Sequence, residues 1–228
     1  MTEQNQSLAA LQDIKNMMER SSRFISLSGL SGISAGICAL VGAWFANDAI
    51  HGGTAGPASD VQIVDFYETR SAQTLTRPHS VTGYLDDPLL RIAIITFIAA
   101  FVLAFTFTYL RSQKTGVPLW GKASKRLMIN VCVPLAVGGA FVLKLLMIQG
   151  YGLIAPGCLI FYGLALVNAS KYTLSEVRYL GYCNLLLGLV NLVYPNYGLY
   201  FWALGFGVLH IIYGTAMWWR YERKGVDN

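Results

Sequence analysis

The chain has 228 residues, of which 54% are hydrophobic and only 13% carry a charge. Soluble domains carry about 25% charged residues, so this composition excludes an ordinary soluble domain. Several uncharged apolar runs reach the roughly 18 residues that a membrane-spanning helix needs, and they predict an integral membrane protein. The net charge of +5 reflects basic residues placed between those runs, so binding to nucleic acid is not predicted.

The chain begins with a polar stretch, residues 1–23, that has a helical pattern of its own. Apolar residues recur here at helical spacing: Leu8, Leu11, Ile14 and Met18. This spacing predicts a short amphipathic helix. Its charges balance, whereas a helix that lies on a membrane surface is normally more basic. We therefore expect it either to pack against the cytoplasmic loops of its own bundle or to present a face to a partner or a second copy.

Six apolar runs follow and predict an all-α, polytopic membrane domain over residues 24–219. The predicted spans are Phe24–Ala46, Leu89–Leu110, Leu127–Gln149, Leu153–Ser170, Tyr179–Tyr194 and Tyr197–Trp219. Short connections rich in turn-forming residues join the third span to the fourth and the fifth to the sixth, as in helical hairpins. The sequence therefore predicts a six-transmembrane-helix bundle with both termini on the same side.

The basic residues indicate which side that is. Thirteen of the 17 lysines and arginines fall in the N-terminal stretch, the second loop, the fourth loop and residues 220–228. By the positive-inside rule, loops with this excess face the cytoplasm. Both termini are therefore expected to be cytoplasmic, with residues 220–228 as a cytoplasmic tail.

The outer loop, residues 47–88, is the only long connection between spans. It carries His51, His79 and six acidic residues. Such a set can bind a cation or titrate with external pH, but its scattered spacing favours a solvated acidic loop. The four cysteines lie in apolar runs without CxxC spacing, so neither a disulfide framework nor a metal site is indicated. No metal ion and no cofactor is predicted.

Two spans carry stripes of small residues, which allow membrane helices to approach closely. The residues predicted to pack are Ser28, Gly32, Gly36, Ala39 and Gly42 in the first span and Gly181 and Gly188 in the fifth. Gly32 and Gly36 form a GxxxG pair. We expect these faces to pack inside the bundle; a homodimer interface on the first span is the alternative, and GxxxG alone does not decide between them.

Polar side chains within the spans form the candidate site: Lys144, Asn184, Asn191 and His210. Ionisable residues inside a membrane are functional candidates. Each also has a structural interpretation, because a lysine near the interface snorkels and an asparagine or histidine bonds to a neighbouring helix. In the functional interpretation, the four residues line one polar path through the bundle.

Two stretches resemble uncharacterised six-span inner-membrane proteins of Bacteroidetes-type bacteria: GLIAPGCLIFYGLALVNASKYTLSEVRYLGYCNLLLGLV and YGLYFWALGFGVLHIIYG. The resemblance implies a multi-pass protein of a bacterial inner membrane and brings no known activity. The Gly-rich hairpin from Gly181 to Gly214 is more distantly similar to repeats of the bacterial acid-resistance membrane protein family. Neither resemblance transfers a catalytic residue.

The patterns GxxxxGK[ST] and HExxH do not occur in the sequence, and no enzymatic activity is predicted. The first functional hypothesis is a non-enzymatic membrane protein that senses envelope conditions or scaffolds a partner. The alternative is a small-solute or ion transporter or channel that uses Lys144, Asn184, Asn191 and His210. Beyond the lipid bilayer, the expected partners are a second copy or a membrane protein, bound through the first span or the N-terminal helix.

Overall fold

The computed structural model describes residues 28–51, 87–115, 121–174 and 176–221. Within these ranges the chain folds into helices and contains no strand, so the predicted all-α bundle is confirmed. The helices are α1 (Gly29–His51), α2 (Pro88–Thr115), α3 (Lys122–Met147), α4 (Ile154–Ala169), α5 (Glu176–Val193) and α6. Helix α6 comprises Gly198–Trp202, a π-helical segment Ala203–Val208 and Leu209–Tyr221.

Several helices extend beyond the predicted spans. Helix α1 continues past Ala46 to His51, and α2 continues past Leu110 to Thr115. Helix α3 runs without a break through Pro134. The predicted amphipathic helix (1–23), residues 52–86 of the predicted outer loop and residues 222–228 of the predicted tail lie outside the described residues.

Five stretches of the described chain are long and apolar enough to cross a membrane. They are Gly29–Ile50, Pro88–Lys114, Ala123–Met147, Tyr151–Ala169 and Pro195–Arg220. Helix α5 is not among them: its 18 residues include Glu176, Arg178 and two asparagines, which lower its mean hydropathy. The chain is therefore an integral membrane protein, while the six-span count and the side of the membrane on which the termini lie stay predictions.

Helices α1 and α6 pack against each other in antiparallel directions through their glycines. A Cβ atom added at Gly36 would lie 2.7 Å from the carbonyl oxygen of Gly207, and one at Gly32 would lie 3.1 Å from the Cα of Gly214. Both glycines of the GxxxG pair therefore face α6 within the same chain. A side chain at Gly36 would force the two backbones apart.

The other stripe residues also lie at contacts between helices. A Cβ at Gly42 would collide with Thr96 of α2, and one at Gly181 would lie 2.9 Å from the carbonyl oxygen of Gly163 on α4. A Cβ at Gly188 would lie 2.7 Å from the side chain of Ile160 on α4. Ser28 and Ala39 on α1 are buried. Small residues thus hold α1 against α2 and α6, and α4 against α5.

Two helices lie at the margin of this bundle. Helix α2 packs mainly against α1, and α3 packs mainly against α4, while α2 and α3 make few contacts with each other. Much of the surface of α2 is uncovered apolar side chains, including a row of stacked rings formed by Phe97, Phe101 and Phe105. Such a face suits hydrocarbon, and the separation of α2 from α3 leaves a gap between them.

The hairpin between α3 and α4 is closed by backbone hydrogen bonds around Gln149. The N–H of Gly150 donates to the carbonyl of Leu145 (2.8 Å), and the N–H of Gln149 donates to that of Leu146 (3.2 Å). This pair of bonds is the Schellman pattern of a helix C-terminus, which places one residue in the left-handed region. That residue is Gln149, with φ of 60°, where glycine is the usual choice.

Candidate functional site

The gap between α2 and α3 leads into a cleft of about 250 Å³. Its walls come from α1, α2, α3, α4 and α6. Its lining residues include Gly42, Asp87, Ala93, Thr96, Cys158 and Trp202. Because the C-terminal parts of α1 and α3 line it together with the N-terminal parts of α2, α4 and α6, the cleft lies at one end of the bundle. We call this the cleft end.

The cleft runs along the helices and is almost entirely apolar. On α1 it extends from Ile50 inward to Gly42, and on α2 it extends from the start of the helix inward to Thr96. Eight residues of helix correspond to about 12 Å, which is most of the roughly 15 Å of hydrocarbon in one half of a 30 Å bilayer core. The cleft therefore extends along the helices over a distance similar to half of that thickness.

Among the described residues, Asp87 is the one charged residue that lines the cleft, and it lies at the mouth. The Asp87 carboxylate caps α2: its Oδ1 accepts the backbone N–H of Leu89 at 2.8 Å. Proline at the next position, Pro88, suits the first turn of a helix, where its missing N–H costs nothing. Arg91, which is exposed, follows one turn later on the same helix. Asp87 and Arg91 thus lie one turn apart at the start of α2, where the Arg91 N–H donates to the Asp87 carbonyl at 3.0 Å.

An aromatic cluster lies behind the cleft wall. The ring of Trp202, which lines the cleft, lies 5.3 Å from that of Phe206, measured between centroids, and Phe206 lies 5.0 Å from Tyr162. Phe206 belongs to the π-helical segment of α6. Segments of this kind are rare and are frequent at functional sites. Here the segment connects the cleft wall to the buried His210.

His210 is buried, and both nitrogens of its ring are bonded within the chain. Its Nδ1 lies 2.9 Å from the carbonyl oxygen of Gly205, and its Nε2 lies 2.6 Å from the hydroxyl of Tyr162. A carbonyl oxygen only accepts, so Nδ1 carries a proton; in the neutral ring Nε2 then accepts from the Tyr162 hydroxyl. His210 therefore joins α6 to α4 through Tyr162, while its bond to Gly205 lies within α6.

The two asparagines of α5 are fully buried. The Asn184 amide donates to the carbonyl of Leu180 on its own helix, and its Oδ1 would lie 2.9 Å from a Cβ added at Gly205. The Asn191 amide donates to the carbonyl of Tyr194 at 2.9 Å. Among the described residues, neither side-chain oxygen has a hydrogen-bond partner.

The structure brings two of the four polar candidates together. Asn184 and His210 both approach Gly205, whereas Asn191 lies two helical turns further along α5. Lys144 is exposed on α3. Its neighbours in the sequence, Val142 and Leu146, line the cleft, and a side chain two positions away points to nearly the opposite side of a helix.

Sequence reasoning missed Tyr162 and the cleft itself. A tyrosine in the middle of an apolar run indicates a buried hydroxyl that needs a hydrogen-bond partner. In the structure the partner of the Tyr162 hydroxyl is His210. The cleft has no such signal, because its lining side chains are ordinary residues of spanning helices. In the described part of the chain, no group of three His, Cys, Asp or Glu residues is placed to hold a metal ion.

Comparisons with protein-family models, with curated proteins and with solved structures find no match for this chain. What the protein does must therefore be inferred from its own residues. The feature with the clearest chemical preference is the apolar cleft between α2 and α3.

Proposed function

We propose that this chain is a non-enzymatic membrane protein that binds the hydrocarbon chain of an amphiphile in the cleft between α2 and α3. Through this binding it senses the state of its membrane or scaffolds a partner there. The single observation that carries the proposal is the cleft of about 250 Å³, lined by apolar residues of five helices and reached through the gap between two of them.

The size of the cleft favours a chain over a bulky ligand. An apolar cavity of about 150 Å³ holds a benzene molecule, and pockets for drug-sized ligands span about 300 to 1,000 Å³. The cleft falls between these values. Apolar side chains that border an empty gap lose contacts on that side, and a chain from the bilayer restores them without bringing a polar group inside.

The transport alternative has less support from the arrangement of its four residues. Lys144 is exposed on α3, away from the buried Asn184 and His210. The ring nitrogens of His210 already contact the chain's own carbonyl and hydroxyl groups. A polar path would need these side chains along one hydrated route, and the cleft is instead apolar.

Photo-crosslinking tests chain binding. The purified protein is illuminated with a fatty acid that carries a diazirine in its chain, and the adducts are mapped by mass spectrometry. We expect adducts on Cys158 and Trp202, which line the cleft. Ala93→Phe places a ring in the cleft and should reduce these adducts severalfold. Ala140→Phe, which changes an exposed residue of α3 outside the cleft, is the matched control and should leave them unchanged.

The outcome that contradicts the proposal is labelling confined to the outer apolar faces of the helices, with Cys158 and Trp202 unmodified. Equal labelling in the Ala93→Phe and Ala140→Phe variants would also contradict it, because filling the cleft would then have no effect.

The scaffolding role has its own test. Proteins retained with the full chain in mild detergent are compared with those retained after deletion of residues 1–20. If the N-terminal stretch presents a partner face, the deletion removes specific proteins from the set. An unchanged set would count against scaffolding through this stretch and leave sensing as the role of the cleft.

A further inference from the structure

We infer that His210 is the positioning residue of the cleft: its ring stabilises the π-helical segment of α6, and that segment sets Trp202 in the cleft wall. This role rests on the proposed function and identifies a residue that shapes the chain-binding cleft without lining it. The observation that carries it is a side-chain hydrogen bond that takes the place of a backbone hydrogen bond in α6.

The π-helical segment changes the hydrogen-bond ladder of α6 just before His210. In an α-helix each N–H donates to the carbonyl four residues earlier, so Leu209 would donate to Gly205. At the end of the segment Ala203–Val208, the N–H of Leu209 donates instead to the carbonyl of Leu204, five residues earlier. The carbonyl of Gly205 is therefore passed over by its regular donor.

The ring of His210 supplies a donor to this carbonyl. Its Nδ1 lies 2.9 Å from the oxygen of Gly205, and the side chain is buried. A buried acceptor without a donor is costly, and hydrocarbon offers no water to replace the donor. His210 thus stabilises the π-helical form of α6 against a regular α-helix, in which Leu209 would satisfy Gly205 and no side chain would be needed.

Tyr162 holds the ring in the orientation that this bond requires. Its hydroxyl lies 2.6 Å from Nε2 of His210. When Nε2 accepts from the hydroxyl, the proton of the neutral ring is on Nδ1, where it faces Gly205. Tyr162 belongs to α4, which packs closely against α5 at Gly163. The donor that stabilises the segment is therefore anchored to a neighbouring helix.

The segment determines which side of α6 faces the cleft. Its hydrogen bonds span five residues instead of four, so it accommodates one residue more than a regular helix between the same two ends. The C-terminal end is fixed against α1, where a Cβ added at Gly32 would lie 3.1 Å from the Cα of Gly214. If the segment became α-helical, the N-terminal end would turn by about 100°, the rotation for one residue. Trp202 would then leave the cleft wall.

Stacked rings connect His210 to that wall. The ring of His210 lies 6.1 Å from that of Phe206, with 19° between the two planes, and Phe206 lies 5.3 Å from Trp202. Phe206 itself belongs to the π-helical segment. Loss of the segment would therefore move both Phe206 and Trp202 relative to His210.

Photo-crosslinking of two matched variants tests the role. His210→Asn keeps an N–H donor near the position of Nδ1, whereas His210→Leu introduces a side chain of nearly the same shape that cannot donate. Neither variant keeps the bond to Tyr162, so they differ in the donor to Gly205. Both are illuminated with the fatty acid that carries a diazirine in its chain.

The measured quantity is the ratio of adducts on Trp202 to adducts on Cys158, which lines the cleft from α4 and does not turn with α6. In His210→Leu the ratio should fall about fivefold, a factor that corresponds to about 1 kcal/mol, the lower end of the cost of a buried acceptor without a donor. In His210→Asn the ratio should stay near its wild-type value.

Deletion of Leu204 distinguishes a positioning role from a general loss of stability. Leu204 lies in the segment and is 40% exposed. Its removal takes out the additional residue, so a regular α-helix connects the two ends of α6 in their present orientation. Leu209 then donates to Gly205, and no side-chain donor is needed. In the His210→Leu protein, this deletion should restore the ratio of adducts to near its wild-type value.

The outcomes separate the two proposals. Equal ratios in His210→Leu and His210→Asn would overturn the role of His210 and leave chain binding standing. A low ratio, or a loss of both adducts, that the deletion of Leu204 does not restore would also overturn it, since His210 would then stabilise the bundle without setting the orientation of Trp202. Wild-type protein with adducts on neither Trp202 nor Cys158 would overturn the proposed function and this role together.

Discussion

The contact between α1 and α6 depends on the absence of a side chain at Gly36, and the substitution Gly36→Ala tests this. The added Cβ would lie 2.7 Å from the carbonyl oxygen of Gly207, whereas ordinary contact begins at 3.4 Å. The helices must therefore separate locally by about 0.7 Å. Helix propensity alone would make the change stabilising by about 1 kcal/mol. The sign of the measured change in stability therefore shows whether this gain or the cost of separating α1 from α6 is larger.

The cost of the separation follows from dispersion energies. A contact patch the size of one buried leucine contains about 40 to 60 atom pairs of about 0.1 to 0.2 kcal/mol each, and a gap of this width forfeits a quarter to a half of that energy. The middle of these ranges gives a loss of about 3 kcal/mol. After the gain in propensity, Gly36→Ala should destabilise the protein by about 2 kcal/mol.

Thermal unfolding in detergent measures the effect. For a chain of this size, 1 kcal/mol corresponds to about 2 to 4 °C in Tm, so we expect a fall of several degrees. Gly139→Ala is the matched control, because a Cβ there meets nothing within 4 Å and only the gain in propensity applies. A Gly36→Ala variant as stable as Gly139→Ala would refute the close approach of α1 and α6.

Three further predictions concern other parts of the bundle. Gln149→Gly should raise stability by about 1 kcal/mol, because it relieves the cost of a left-handed conformation in a residue with a Cβ; an unchanged or lower Tm would contradict the geometry of the α3–α4 hairpin. Tyr162→Phe should lower stability by about 1 to 3 kcal/mol, since it leaves the buried Nε2 of His210 without a donor. Its control is Tyr179→Phe, which changes an exposed tyrosine and should shift Tm little. Lys144→Gln should change stability by less than about 0.5 kcal/mol, as surface substitutions do, and a loss of solute uptake into proteoliposomes in this variant would support the transport alternative instead.

Composition and the length of the apolar runs were sufficient to predict the class of the fold. In hydrocarbon each helix satisfies its own backbone, so spans can be recognised one at a time. The ends of α1 and α2 were harder to place, because both helices continue beyond the apolar residues into polar ones such as Asn47 and Gln113. Polar residues do not end a helix unless a cap or a proline intervenes, as Asp87 and Pro88 do at the start of α2.

The candidate site was less predictable, because it depends on which helices lie next to each other. Lys144 and His210 are equally conspicuous in the sequence, yet one is exposed on α3 and the other is buried between α4 and α6. The cleft exists because α2 and α3, although consecutive in the chain, lean on α1 and α4 and leave a gap between themselves. Periodicity within a single span contains no information about such a gap.

A crystal structure of the protein grown in a lipid mesophase doped with a phospholipid would test most directly the central claim that the cleft binds a hydrocarbon chain. We predict elongated density between α2 and α3 that starts beside Asp87, passes Trp202 and ends at Thr96. Direct contact between α2 and α3 that closes the cleft, or side chains of the protein itself filling this space, would contradict it.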